Sequence, residues 1–440
     1  MMKSFKTSIA IAVVVALSGC GAFKGGPKKT PTLGNRVPIL VSENGAEADK
    51  TISDVQVLLP PPSPNGDWAQ PGGNAAKSLG HLTLGSSLTR QWSASIDGGS
   101  VRQRLAAAPV VADSKLFAVD VDAVVHAFAV DTGKQLWSAK LAENKDNRAA
   151  RFGGGVSFDD GKVFATDGLG DVVALDAADG KILWRARPAG PLRGAPTVAN
   201  GALYVISQNN ELVALSQADG TIQWTGSGSL ESQGVFGVGA PAAGRGTIVA
   251  GFSSGELYAY RYENGRVLWT EILSRTSVST SVSSLVDIDA NPVIDQNRVY
   301  AVGEGGRMVA LELTTGRRLW EQNLAGVSTP WIAGEWLFVV TEEGKLYCLS
   351  RANGKIRWIS DLGGFKNAKK RKNPIHWTGP VLAGGRLILL NSEGQIVSVS
   401  PTTGEKGTII KGGAGFSLPP VVANDTLYTI DSKGRITAYK

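Results

Sequence analysis

Reactive side chains are scarce in this chain. Its 440 residues include two cysteines, Cys20 and Cys348, and three histidines, His81, His126 and His376. Two cysteines are too few for a disulfide-rich scaffold. The histidines lie far from one another and show no metal-ligand spacing. After the apolar run 9–17, no stretch approaches the roughly 20 residues needed to cross a bilayer as a helix. Neither sign of charge dominates, with 45 Lys and Arg against 38 Asp and Glu, a formal +7. That balance alone allows nucleic acid, anionic lipid or an acidic protein as partner.

What is abundant is glycine (55), tryptophan (11) and a phrase that recurs. Asp131-Thr-Gly-Lys-Gln-Leu-Trp137 returns as Asp179-Gly-Lys-Ile-Leu-Trp184, Asp219-Gly-Thr-Ile-Gln-Trp224 and Asn264-Gly-Arg-Val-Leu-Trp269. Thr315-Gly-Arg-Arg-Leu-Trp320 and Asn353-Gly-Lys-Ile-Arg-Trp358 follow, then a degenerate copy, Thr403-Gly-Glu-Lys-Gly-Thr408. From Trp92 to Thr408 the steps are 45, 47, 40, 45, 51, 38 and 50 residues. Short strands repeating every ~40–50 residues indicate a propeller or an array. Before each Trp stand three strands, as in Ala195-Pro-Thr-Val-Ala, Ala202-Leu-Tyr-Val-Ile206 and Glu211-Leu-Val-Ala-Leu215. The Asp-Gly or Asn-Gly pair predicts a tight hairpin into strand four, with both residues at positive φ. Strands two and three lack apolar–polar alternation, so both sheet faces are expected to be covered, as between stacked blades. Trp is expected to anchor strand four on the next blade, its indole N–H reaching a backbone acceptor. Cys348 stands where other copies have Ala174, Ala214 and Ala310, which predicts a small packed residue in strand three.

The three-strand phrase occurs eight times, the last ending at Tyr439 with no fourth strand. Trp92 lies on a fourth strand without partners. Joining the two completes a blade and removes the open ring edge. The expected fold is therefore all-β, an eight-bladed β-propeller of four-stranded antiparallel blades whose last blade is closed by an N-terminal strand. The expected divisions are 1–19 as a signal peptide, 20–80 as a lipidated, largely irregular tether, and 81–440 as the propeller. Trp68-Ala-Gln-Pro-Gly-Gly-Asn74 is expected against the outside of the ring.

Lys3 and Lys6 open a basic segment, 9–17 is apolar, and Leu17-Ser-Gly-Cys20 closes it. This resembles the lipobox of bacterial lipoproteins. The resemblance implies lipid attachment at Cys20, and Gly21, rather than Asp, implies sorting to the outer membrane, with the protein on its periplasmic face. Export makes nucleic acid an improbable partner.

In a four-strand meander, the turns between strands two and three share a rim with the blade-to-blade connections. Connection length varies most at 140–151, 225–236, 271–287 and 362–375. Insertions confined to one face mark the binding face of repeat proteins. The last of these connections carries Lys366, Lys369, Lys370, Arg371 and Lys372, readable as a solvated loop or as a contact for anionic lipid or an acidic surface. His126 reads as a packed strand residue. Gly303-Glu-Gly-Gly306 is a strand turn rather than a phosphate loop, because no helix follows it.

The repeat resembles that of pyrroloquinoline-quinone dehydrogenases, which would imply quinoprotein chemistry. Those enzymes use a vicinal cysteine pair, absent here. Over nearly the whole mature chain the sequence is more similar to the BamB family, propeller lipoproteins of the outer-membrane β-barrel assembly machinery. The features carrying this are Leu17-Ser-Gly-Cys20, the tether, the eight repeats and Val286-Asp-Ile-Asp-Ala-Asn-Pro292. The resemblance implies a non-enzymatic scaffold without a cofactor, docked on the POTRA domains of BamA and assisting unfolded barrel proteins. It also implies a docking surface that includes Asp287 and Asp289, pairing with basic groups of the partner. A Leu-x-Leu-Arg segment of the family aligns with Gln233-Gly-Val-Phe236, which implies contacts from Val235 and Phe236.

Overall fold

The computed structural model describes residues 46–100, 103–141, 151–230, 239–273 and 286–440. Among these residues, eight four-stranded antiparallel sheets account for nearly all regular structure. A two-stranded hairpin and a 3₁₀ turn at Lys50–Ile52 complete it. Blades 1 to 7 span 110–140, 156–186, 197–227, 242–272, 293–322, 331–361 and 377–411. Blade 8 combines 421–439 with Arg90–Ser95.

Blade 3 shows how sequence dictates each piece. The inner strand Thr197–Ala199 is three residues long and ends at Asn200-Gly201, both at positive φ (55° and 73°), the pairing a mirror-image two-residue turn demands. Every residue of Ala202–Ile206 is buried, and Glu211–Ser216 is buried except at its two ends. The outer strand Ile222–Ser227 buries only Trp224. Apolar density is thus highest where both sheet faces are covered, as expected.

The tryptophans stitch the ring. Trp92, Trp137, Trp184, Trp224, Trp269, Trp320 and Trp358 each donate the indole N–H to a backbone carbonyl of the following blade, over 2.6–3.2 Å. The turn beneath each ring is wider than the sequence predicts. Ala129 N–H donates to Lys134 O, Gly133 N–H to Ala129 O, and in this turn only the glycine has positive φ, at 67°. A Cβ on Gly133 would also lie 2.4 Å from the Trp92 ring. Glycine is therefore required both by backbone conformation and by the indole above it. Cys348 lies opposite Trp358 across strands three and four, fully buried, and burial raises its thiol pKa.

Ring closure is as the sequence predicts: Arg90–Ser95 pairs antiparallel with Arg435–Tyr439. Trp68–Asn74 is not placed as predicted. Instead of lying outside the ring, it is part of a segment, residues 60–84, that makes a circuit of the inner strands at the rim of the strand one–two turns. Asn65 O accepts from Asn424 N–H, and Trp68 exchanges both backbone hydrogen bonds with Val111. Ala69 O accepts from Phe158 N–H, and the Gln70 amide makes a pair of hydrogen bonds with Val198. Ala75 O and Ala76 O accept from Ala243 and Ile294 N–H, and Gly80 O from the Trp331 indole. Leu82 N–H donates to Leu382 O. The order visited is blade 8, then 1 to 7. Trp68 stacks on Trp331, centroids 6.1 Å apart, and Trp68, Lys77 and Trp331 are all buried. The mouth on this rim is filled. Ahead of it, Asp49 N–H donates to Ile356 O, and Arg357 Nε donates to Val55 O, so the chain also straps the outer strand of blade 6.

Candidate functional site

The opposite rim carries the blade-to-blade connections. Leu273, Leu362 and Gly412 N–H donate to the carbonyls of Gly255, Gly344 and Gly394, which lie in turns between strands two and three. The two loop classes therefore interlock on one face, as the meander argument requires.

On this face a buried ion cluster ties blade 3 to blade 5. Arg193 follows Pro191-Leu192 and is held by its own N–H donating to Ile206 O. Its Nη2 donates to Asp287 Oδ1 at 2.8 Å and to Asp289 Oδ1 at 2.9 Å. The carboxylates are fixed in turn, since Glu304 N–H donates to Asp287 O and Ile288 N–H to Phe252 O. Exposure is 4% for Arg193, 1% for Asp287 and 9% for Asp289. Asp287 Oδ2 and Glu304 Oε2 are buried without a hydrogen-bond partner. Burial raises the Asp289 pKa, Asp287 adds to the rise, and Arg193 opposes it. The Glu304 carboxyl is pushed up to about 7, first by burial, then by Glu342 and Asp287. Buried charges persist only when paired, and removing one partner strands the other. The cluster's physical role is to lock two connections of the rim into one surface.

The structure brings Asp287 and Asp289 together, but toward Arg193 of the same chain rather than toward solvent. Val235, Phe236 and Cys20 lie outside the described residues. The neighbouring connection is anchored beside the pair, with Ala240 N–H donating to Asn291 Oδ1 at 2.7 Å. Arg193 is the residue the sequence reading missed. Its signal is a Leu-Arg pair directly ahead of Ala195-Pro196, in a connection too short to draw notice by length. Leu230 stands 79% exposed on the blade 3 to 4 connection.

The basic connection 362–375 folds as a hairpin, Phe365–Asn367 against Lys372–Pro374. Arg371 lies 5.4 Å over the Phe365 ring, and Lys366 pairs with Glu393 at 2.7 Å. His126 is a strand residue, as predicted, and contacts Asp120 Oδ2 at 2.9 Å. Among the described residues no group of three or more His, Cys, Asp or Glu could hold a metal ion, and no helix is long and apolar enough to cross a membrane.

A sequence profile of the family described as outer membrane protein assembly factor BamB matches residues 121–360. The assembly factor BamB of Salmonella typhimurium is 30% identical over 357 residues, covering 80% of this chain and 88% of that one. The Escherichia coli protein of the same name is 31% identical over 346 residues, 77% of this chain and 85% of the relative. The crystal structure of BamB from Moraxella catarrhalis superposes with a TM-score of 0.67 at 19% identity, over 80% of this chain and all of that one. A quinohemoprotein alcohol dehydrogenase from Comamonas testosteroni gives 0.65 at 14% identity, over 85% and 80% of the two chains, a likeness of fold alone.

Proposed function

The chain belongs to the BamB family of outer membrane protein assembly factors, and we propose that it is a non-enzymatic scaffold docking on the POTRA domains of BamA. In this reading Cys20 carries the lipid that holds the ring at the periplasmic face of the outer membrane, and the docked complex assists folding and insertion of barrel proteins. The observation that carries it is the buried Arg193–Asp287–Asp289 cluster, which fixes the shape of the variable rim. The two carboxylates are positioning residues here. Because both carboxylates are buried against Arg193, contact with the partner falls to exposed groups, Leu230 among the described residues, with Val235 and Phe236 proposed to join it. An apolar side chain buried at the centre of an interface contributes affinity by desolvation, and charges around it steer the encounter.

The test separates contact from shape. Leu230→Asp is expected to abolish capture of BamA from outer-membrane extract while leaving the melting temperature unchanged. Arg193→Ala is expected to lower stability by about 3–5 kcal/mol in urea titration, since it strands two buried carboxylates. Full BamA capture by Leu230→Asp would refute this docking face. The quinoprotein alternative rests on fold likeness, and it predicts quinone absorbance and alcohol oxidation after reconstitution with quinone and calcium.

A further inference from the structure

The ring has one junction unlike the others. At seven junctions an indole sits over the turn glycine of the next blade, Trp358 over Gly404 being the last in sequence. Blade 7 has Thr408 at that place on its outer strand Lys406–Lys411, and Thr408 is exposed. The reason lies across the gap. The third and fourth strands of blade 8, Arg435–Tyr439 and Arg90–Ser95, come from opposite ends of the propeller sequence. No hairpin joins them, so there is no turn glycine for a tryptophan to cover.

At this junction lies a cleft of about 430 Å³ between blade 7 and blade 8. Its apolar lining includes Leu88, Ile410 and the buried Tyr439, whose hydroxyl donates to Gly412 O at 3.2 Å. Its cations are Arg90, Lys411 and Arg435, supplied by three different strands and all exposed. None of the three has a carboxylate partner among the described residues, whereas many other basic groups of the ring are paired, such as Arg187 with Asp171 and Arg318 with Glu271. Asp431, the nearby acid, is buried and its oxygens accept backbone N–H groups. Unpaired cations around an apolar floor raise the local concentration of anions and favour a ligand that is both acidic and apolar. The volume is that of a small-ligand pocket, enough for a few residues of extended chain and too small for a folded domain. Gly412 and Gly413 form its lip, both held by N–H donation to Gly394 O.

We propose that this seam binds a short extended peptide segment in which acidic and apolar side chains alternate, carboxylates toward Arg90, Lys411 and Arg435 and apolar groups toward Leu88, Ile410 and Tyr439. The inference does not rest on the proposed docking contacts, since none of the cleft's side chains belongs to them, although its Gly412 and Gly413 lie in a connection on the same rim.

Fluorescence polarisation with a labelled octapeptide alternating glutamate and valine tests it on the full-length protein. Binding that weakens at least about tenfold in the triple variant R90E/K411E/R435E, and weakens likewise in high salt, is the expected result. A lysine–valine octapeptide is expected not to bind, and K366E/K369E/K370E in the basic hairpin is expected to bind as the parent does. Should the triple variant melt below the parent, Lys411→Gln is read instead, with a loss of about threefold expected. Unchanged binding in the seam variants, binding of the lysine peptide, or loss in the hairpin variant would overturn the proposal. So would a seam variant that loses only flotation with phosphatidylglycerol vesicles, which would assign the cations to lipid.

Discussion

Lys77 is the most unusual single residue in the ring. It is 2% exposed, and its Nζ donates to Thr197 Oγ1 at 3.1 Å, while that hydroxyl donates to Pro241 O. Burial alone lowers its pKa from 10.5 to about 7. The folded state thus resists the charged form, and folding is penalised wherever the unfolded chain would hold that proton. The penalty is absent above about 10.5, grows as pH falls, and is complete below about 7. Lys77→Met is therefore expected to be more stable than the parent at pH 7, with the difference closing as pH approaches 10.5. Paired thermal melts across that range check it, and a constant difference would refute the assignment. Nothing in the sequence marks Lys77, because a lone lysine in an aperiodic stretch gives no sign of burial.

At the scale of the strand, the tryptophan phrase made the blades legible. Each Trp is a strand residue with a defined acceptor and a defined glycine beneath it, so the repeat encodes the junction as well as the sheet. Trp269→Ala is expected to cost about 3–5 kcal/mol in denaturant titration, by lost burial and a cavity. Thr408→Trp is expected to stay within about 0.5 kcal/mol of the parent, because its indole has no turn to cover. A large gain would mean that blade 8 presents a docking surface after all. The worn seventh copy was visible in the sequence, but its reason was not, since that required knowing which blade the chain termini complete. Arg193 escaped for a related cause. Loop lengths point to a face, whereas an ion pair between residues 94 and 96 positions apart follows only from ring geometry.

For the whole molecule, closure and the inner circuit are separable. Removing residues 88–96 takes away the strand paired to Arg435–Tyr439 and exposes an edge. Loss of a single cooperative melt is expected. Removing residues 46–59 takes away only the strap on blade 6, and a melt close to the parent's is expected by calorimetry. Two-state melting after the first deletion would contradict closure by the N-terminal strand. The ring was predictable because its repeats restate one pattern. Residues 60–84 were not, because their hydrogen bonds go to strands belonging to eight different blades and leave no periodicity of their own.

That inner circuit bears on the role proposed for the ring in handling barrel proteins. With Trp68, Lys77 and Trp331 packed where an axle would pass, the hub is no conduit, and an unfolded chain cannot be threaded through it. Under the proposed role, a client would pass around the wheel, by way of the opposite face or the flank.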